Sequence, residues 1–290
     1  MIVDAHYHLE PRLEPVERLL AEMRTHRIDR VALMAPVSEP IHLGPLGRGY
    51  WDAMRRGLGG GWPRLGRLLY RATVRPWGRV AFAGGSFPIL DRPDNGAIER
   101  AMARHPDRFV GWLFLNPRAP GWLEEAEQRL GRPGWIGVKA HPFWHRYPVA
   151  RLDDLAALCQ ERGKPLMVHL GAGRGRGDFR RLPERFPRLK LVYAHAGIPW
   201  YRPLWEDARR RERVFVDLSS PYLTRVLRHQ ALHALGPSRC LYGSDGPYGY
   251  PAPGGGYDHA AILGQIERAG LATAELEQVL GGNFVALTAT

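Results

Sequence analysis

The chain has 290 residues and a formal charge of +12, with 44% hydrophobic and 24% charged residues. This balance is typical of a folded globular protein and excludes a disordered chain. No stretch reaches the roughly 20 apolar residues of a membrane span, and the start, MIVDAHYHLE, has neither the basic nor the apolar region of a secretory signal.

Short apolar runs alternate with longer amphipathic runs along the chain. The amphipathic runs predict helices, the first at 15–26, where Val16, Leu19, Leu20 and Met23 share one face. The apolar runs predict eight strands, at 2–5, 30–35, 109–115, 135–140, 165–169, 189–194, 214–218 and 239–243.

Eight successive strand–helix units predict the α/β class and a single (β/α)8 TIM barrel that spans residues 1–290. The alternative is an open, doubly wound sheet. That fold places a glycine-rich phosphate turn after its first strand, whereas this chain reads HYHLE there. Its glycine-rich stretch, GAGRGRG at 171–177, follows the fifth strand instead.

Residues 36–95 form an insertion between the second and third strands. A connection of this length inside a compact domain is usually functional. It contains three tryptophans, two tyrosines and many arginines, and its residues 80–87 predict an extra strand. We expect either a lid over the site that sets substrate size or a packing surface, including the contact of a homodimer.

Two histidines mark the end of the first strand. His6 and His8 are two residues apart, so their side chains project to the same side of a strand. Three more candidate ligands follow later strands: His169 after the fifth, His195 after the sixth and Asp245 after the eighth. In a barrel these strand ends converge on one mouth. Neutral imidazoles and a carboxylate suit zinc, so we predict one divalent ion here.

At this point the sequence resembles the amidohydrolase superfamily, in its amidohydrolase-2 branch. The resemblance covers most of the chain through motifs whose order and spacing are specific: VDAHYHL, HPDRFVGWLFLNP, GVKAHP, MVHLGAG, YAHAG, VFVDLSS, LYGSDGP and GGNFVAL. Members of this branch are metal-dependent hydrolases, with a minority of decarboxylases and hydratases. The insertion has no counterpart that aligns.

The resemblance implies that His6, His8, His169 and Asp245 bind the metal. It places His195 beside the bound water, either as a further ligand or as the catalytic base. Lys139 lies on the fourth strand, where many members carry a carboxylated lysine that bridges two metals.

Because of this lysine, a second metal ion remains one alternative. The other alternative is that Lys139 and His141 face the substrate. Trp200 and Arg202, in the loop IPWYRPLW, are further substrate-binding candidates.

Several other residues have two interpretations each. Asp4 and Asp217 are candidates to hold ligand histidines by hydrogen bonds or to act only in the fold. The glycine- and tyrosine-rich segment 247–257 is a candidate flap. The candidates for binding an anionic substrate group are His145, Arg146, Arg174 and Arg176.

The predicted activity is hydrolysis of a small-molecule amide, lactone or ester by metal-activated water, with Asp245 and His195 as the acid–base residues. One alternative is the non-oxidative decarboxylation of an unsaturated or aromatic acid, for which basic loops are suitable. The other is a catalytically silent barrel that binds a ligand or protein and should have lost a metal ligand.

The charge of the chain and its cysteines bear on its binding partners and its cellular location. Only three of the 41 basic residues are lysines, and the arginines are scattered, so we expect an anionic substrate at most and no nucleic-acid or membrane partner. Cys159 and Cys240 fit buried thiols in a reducing compartment, and we expect a cytoplasmic protein.

Overall fold

A computed structural model describes residues 1–41, 47–60, 62–82, 85–173, 175–252 and 256–289. Its strands are β1 (Val3–His8), β2 (Arg30–Met34), β3 (Val74–Arg75), β4 (Arg79–Phe82), β5 (Gly85–Pro88), β6 (Phe109–Leu115), β7 (Trp135–Ala140), β8 (Leu166–Val168), β9 (Leu191–Tyr193), β10 (Val214–Asp217) and β11 (Cys240–Leu241).

Eight of these strands form one parallel sheet in the order β1-β2-β6-β7-β8-β9-β10-β11. The two edges meet through backbone hydrogen bonds, from Ala5 N to Tyr242 O at 3.0 Å and from His8 N to Gly246 O at 2.7 Å. These bonds close the sheet into a barrel. The predicted TIM-barrel fold and all eight of its predicted strands are confirmed.

Helices lie between successive strands and surround the barrel. They are α1 (Val16–Thr25), α2 (Gly47–Gly59), α3 (Pro63–Ala72), α4 (Asn95–Arg104), α5 (Trp122–Arg129), α6 (Asp153–Glu161), α7 (Arg181–Arg185), α8 (Tyr201–Ala208), α9 (Arg225–Leu235), α10 (Ala260–Glu267), α11 (Thr273–Glu277) and α12 (Asn283–Thr288). None of the helices in the described ranges has the length and hydropathy that a membrane span requires.

The barrel interior is filled by large side chains from the strands. Trp112 is fully buried, and its indole N–H donates to Ala5 O at 2.9 Å across the barrel. Gly137 lets β7 approach its neighbour, because a Cβ at this position would lie 2.4 Å from Pro165 O. This packed interior leaves the mouth at the strand C-terminal ends as the place where side chains can meet a ligand.

The insertion after β2 has its own secondary structure. It contains α2, α3 and a separate antiparallel sheet in the order β3-β4-β5. The single strand predicted at 80–87 is therefore two paired strands, β4 and β5, with 83–84 outside the described residues. Sequence periodicity missed the division because both halves have the alternating pattern of a strand. The insertion's outer face exposes apolar side chains, with Trp62 76% and Trp77 86% exposed.

Candidate metal centre

Four of the five predicted ligands converge at the barrel mouth. One oxygen of the Asp245 carboxylate lies 3.4 Å from His6 Nε2 and 3.5 Å from His8 Nε2. The other lies 3.9 Å from His195 Nε2. All four residues are buried. Donor atoms of His6, His195 and Asp245 lie within 4.8 Å of one another. At this spacing one metal ion could bind all three.

The ends of the strands bring these side chains into place. His6 and His8 project to the mouth from the last residues of β1, as their spacing predicts. His195 and Asp245 both adopt left-handed backbone conformations, with φ of 55° and 59°. Such conformations are uncommon for residues other than glycine and concentrate at functional sites. The backbone N–H of Asp245 also donates to His6 O at 2.8 Å, which ties two of the candidate ligands together.

Each converging imidazole has its Nδ1 atom occupied by a protein acceptor. His6 Nδ1 lies 2.9 Å from Asp217 Oδ2, and His8 Nδ1 lies 3.1 Å from Ala35 O. His195 Nδ1 lies 2.9 Å from Ser219 Oγ, whose own hydroxyl donates to Asp217. The protons of these imidazoles are therefore on Nδ1, and the lone pairs of the Nε2 atoms face Asp245.

Burial sets the protonation of the cluster. Burial, and then the charge of Lys139, lower the pKa of His6 to about 3. Burial also lowers the pKa of His195 below its ordinary value. For Asp217, burial alone would raise the pKa, but its interaction with His6, including the hydrogen bond from Nδ1–H, holds it well below its usual range. The site thus presents His6 and His195 as neutral imidazoles beside ionised carboxylates, which are the protonation states that metal binding requires.

These protonation states give the cluster a set of donor atoms that a cation would stabilise. Three Nε2 lone pairs face the negatively charged oxygens of Asp245 with no proton between them, so the groups repel one another unless a cation binds. Within the described residues only Lys139 brings a donor close, its Nζ lying 3.4 Å from His6 Nε2. The donor set, three nitrogens and one carboxylate, fits a divalent ion of the zinc type.

His169 lies beside this group but is turned toward the insertion. Its ring centroid is 4.6 Å from that of His195. Its Nε2 atom, however, accepts a hydrogen bond from the Tyr70 hydroxyl at 2.5 Å. Tyr70 is a fully buried residue of α3, so the insertion reaches directly into the barrel mouth.

Lys139 and His141 are both buried next to the predicted ligands. Burial lowers the pKa of the Lys139 ammonium to about 8. His141 stacks on His169 with centroids 3.9 Å apart, and its Nδ1 accepts from Trp144 N at 3.1 Å. Both positions border the site, and their role in substrate binding stays a prediction.

The two residues predicted from the IPWYRPLW loop have different surroundings. Trp200 packs the mouth loops together, since its indole N–H donates to Gly171 O at 2.9 Å and the Arg67 guanidinium lies 4.9 Å from its ring centroid. Arg202 lines a cavity of about 580 Å³ between α8 and α9, and the described residues give it no contact with the histidine cluster. Arg174 lies outside the described residues, as do 253–255 of the predicted flap.

The structure resolves the two interpretations of Asp217 and Asp4 and adds residues that the sequence did not single out. Asp217 accepts from His6 Nδ1, and Asp4 accepts from the backbone N–H of His6 at 3.1 Å. Ser219 was missed, although it lies two residues after Asp217 and the alternation rule could have found it. Tyr70 was missed because nothing in the insertion's sequence singles out that tyrosine.

A closed barrel with a histidine–aspartate cluster at its mouth defines the class of metal-dependent barrel enzymes. The sequence matches the Amidohydrolase family over residues 3–287. The chain therefore belongs to the amidohydrolase family, in its amidohydrolase-2 branch. No curated protein is detectably similar to the sequence.

Solved structures share the fold along the full chain at low sequence identity. 5-Carboxyvanillate decarboxylase from Sphingomonas paucimobilis is 16% identical with a TM-score of 0.57, over 99% of this chain and 98% of that one. A probable 2-pyrone-4,6-dicarboxylic acid hydrolase from Acinetobacter baumannii is 13% identical with a TM-score of 0.60, over 99% and 98%. An amidohydrolase from Burkholderia multivorans with bound zinc is 13% identical with a TM-score of 0.62, over 99% of each chain.

Proposed function

We propose that this protein is a mononuclear, metal-dependent hydrolase that cleaves an amide, lactone or ester of a small and anionic molecule. The observation that carries this proposal is the orientation of three Nε2 lone pairs toward one ionised carboxylate. We assign zinc as the ion, held by His6, His8, His195 and Asp245. Zinc in such a site supplies an activated water and polarises a carbonyl group.

Asp245 is the residue that we assign to proton transfer. Although burial alone would raise the pKa of Asp245, its interactions with His195 and His8 hold it well below its usual range. The carboxylate is thus ionised and able to accept a proton, which it would hold only transiently before passing it to the leaving group. His195 Nε2 lies 3.9 Å from the same carboxylate and His195 Nδ1 is bonded to Ser219, so we assign His195 as a ligand and not as the acid.

Lys139 supplies positive charge next to this pair. Lys139 is 1% exposed, and its Nζ lies 3.4 Å from His6 Nε2. In a site shielded from water, such a charge attracts an anionic substrate more strongly than it would in solvent. In this role Lys139 is not carboxylated, so it does not bridge to a second metal ion.

The insertion is proposed as a cover for the site. The Tyr70 ring stacks on Phe143 at 4.3 Å and packs edge-on against Tyr222 at 5.5 Å, so aromatic rings close the mouth above His169. Excluding water there strengthens the contacts between charged groups and a bound substrate. The exposed Trp62 and Trp77 lie elsewhere on the same insertion, so a contact with a second copy of the chain is compatible with this role.

Decarboxylation of a flat, unsaturated acid is the second candidate function. Aromatic rings border the cluster on several sides, with Phe114 and Tyr248 centred 6.4 and 5.6 Å from the His8 ring. A slot of this kind suits a planar ring, and a water-poor wall destabilises a carboxylate that is to leave as carbon dioxide. A silent barrel is less well supported, because every predicted metal ligand is present.

Turnover assays of the zinc-loaded protein test the proposal. The panel contains 2-pyrone-4,6-dicarboxylate, simple lactones and amides, 5-carboxyvanillate and 2,6-dihydroxybenzoate. Ring opening or amide cleavage that is lost in Asp245→Ala supports hydrolysis, and release of carbon dioxide supports the second candidate. The absence of any turnover in a correctly folded, zinc-loaded protein would favour the silent barrel.

A reducing, cytoplasmic location is proposed with the function. The two cysteines, Cys159 and Cys240, are free and buried in different parts of the barrel. Unpaired buried thiols support a compartment in which disulfides do not form.

A further inference from the structure

Three arginines from distant parts of the sequence line one cavity beside the metal centre. Arg71 comes from the last turn of α3 in the insertion, Arg146 from the loop after β7 and Arg176 from the loop after β8. The cavity has a volume of about 370 Å³, and Pro148, Ala172, Gly173 and Gly175 complete its lining. This volume is enough for a small organic acid or an inorganic oxyanion.

The positive charge of this cavity is not paired with a carboxylate in the part of the chain that the structure describes. There, none of the three arginines forms an ion pair, and the one hydrogen bond from their guanidinium groups is that of Arg146 to Pro76 O. Burial, and then the charges of Arg146, Arg71 and Arg118, lower the pKa of Arg176. Like charges held together in this way are unfavourable unless an anion binds among them.

The loops that carry the arginines are held in place before any ligand binds. Arg176 O accepts from Gly171 N at 3.0 Å, and Gly175 O accepts from Val149 N at 2.7 Å. Gly171 is required for this packing, because a Cβ there would lie 3.0 Å from both Arg176 Cβ and the Phe143 ring. Arg146 has a left-handed backbone with φ of 58°, a strained conformation that aims its side chain from a tight turn.

We propose that this cavity is a binding site for an oxyanion, a carboxylate or a phosphate-type group, held by Arg71, Arg146 and Arg176. Guanidinium groups bind both classes through paired, charge-assisted hydrogen bonds. The site draws one of its three charges from the insertion and two from the barrel loops. A bound anion therefore joins the insertion to the barrel by a contact that neither part makes alone.

The site is adjacent to the metal centre but separate from it. Phe143 connects the two, since its ring is centred 6.3 Å from the His169 ring and also contacts the Arg176 loop. Arg71 directly follows Tyr70, the residue that bonds His169. The anion either belongs to the far end of the substrate or is a free small anion that fixes the insertion. Binding does not depend on the proposed reaction.

Isothermal titration calorimetry of the zinc-loaded, full-length protein with inorganic sulfate tests this site. Sulfate is chosen because it is a weaker zinc ligand than phosphate, and ionic strength is held constant with chloride. We expect one saturable site per chain. Arg146→Gln and Arg176→Gln should each weaken binding about tenfold, the usual effect of losing a charge-assisted hydrogen bond. Arg71→Gln should weaken binding less, because Arg71 is exposed.

Two control variants separate this site from general charge and from the metal. Arg75→Gln removes the same charge from an exposed position in β3 of the insertion and should leave sulfate affinity unchanged. His195→Ala alters the metal centre and should still bind sulfate. The proposal is overturned if sulfate shows no saturable binding below about 10 mM. It is equally overturned if Arg71→Gln and Arg176→Gln both bind as the wild type does.

A competition experiment assigns the source of the anion. Sulfate is titrated with and without saturating 2-pyrone-4,6-dicarboxylate. Loss of sulfate binding assigns the cavity to a carboxylate of the substrate. Unchanged sulfate affinity assigns it to a free anion. A failure of the proposed hydrolysis would appear in the turnover assays and leave these titrations unaffected.

Discussion

Replacing Asp217 with asparagine should weaken zinc binding through the orientation of His6. Asp217 is fully buried and accepts from His6 Nδ1 at 2.9 Å and from the backbone N–H of Ser219 at 2.9 Å. An asparagine keeps one acceptor oxygen and replaces the other by an NH2 group. If that group faces His6, the imidazole loses its partner or moves its proton to Nε2, where it points at Asp245.

The expected loss follows from the number of contacts that depend on this carboxylate. Loss of an outer partner of a metal-binding histidine usually costs about 10- to 100-fold in metal affinity, or about 1.4–2.8 kcal/mol. A loss in this range is expected for either orientation of the amide, because the other oxygen of Asp217 accepts from the Ser219 hydroxyl that supports His195 Nδ1. Whichever way the NH2 group faces, one of the two imidazoles loses its support.

The assay is a zinc titration of the metal-free protein in competition with a chromophoric chelator. Asp4→Asn is the matched control, since Asp4 is also buried and its Oδ1 accepts from the backbone N–H groups of His6 and Ser244 at 3.1 and 2.9 Å. Its amide oxygen can keep both bonds, so zinc affinity should stay close to that of the wild type. Wild-type zinc affinity in Asp217→Asn, with a clear loss in His6→Ala, would refute the reasoning.

Three further predictions follow from the site. Elemental analysis should find about one divalent ion per chain; no ion after reconstitution would contradict the proposal, and two ions with a carboxylated Lys139 would replace its mononuclear form. His195→Ala should lower metal occupancy more than His169→Ala, because His195 faces Asp245 while His169 faces Tyr70; equal losses would make His169 a full ligand. In the metal-free protein Lys139 should contribute a rise in the free energy of unfolding between about pH 8 and its ordinary pKa of 10.5, since over this window the unfolded chain binds more protons at this residue. Denaturant titrations should show that Lys139→Met flattens this rise.

The barrel and the convergence of its candidate ligands could be predicted because they depend on local regularities. A spacing of two residues places His6 and His8 on one side of a strand, and barrel topology brings His195 and Asp245 to the same mouth. The same alternation would have selected Ser219 after Asp217. These inferences need only the direction of a strand and the position of its end.

The orientation of His169 could not be predicted in this way. It depends on the Tyr70 hydroxyl, which arrives from a helix 99 residues earlier in the chain. The arginine cavity has the same origin, since Arg71 joins Arg146 and Arg176 only after the insertion packs on the barrel loops. Contacts between such distant segments are set by tertiary packing, and no local pattern specifies them.

Removing only the hydroxyl of Tyr70 tests the proposed cover while the packing of the Tyr70 ring is kept. Tyr70→Phe keeps the ring on Phe143 and Tyr222 but removes the hydrogen bond to His169. Leaving His169 Nε2 without this partner should destabilise the protein by about 1–3 kcal/mol. Hydrogen exchange should increase in α3, and turnover should fall. Tyr242→Phe is the control, because the buried Tyr242 hydroxyl has no hydrogen-bond partner in the described structure and its loss should change none of these.

The two measurements together separate a cover from a surface that only packs. If the insertion covers the site, the contact between Tyr70 and His169 couples its opening to the chemistry, so exchange in α3 and turnover should change together. If the insertion serves only as a contact between copies of the chain, its exposed tryptophans carry that role. Tyr70→Phe would then alter exchange in α3 while turnover on the same substrate stays at the wild-type rate. That outcome would reject the cover and leave the metal centre complete without the insertion.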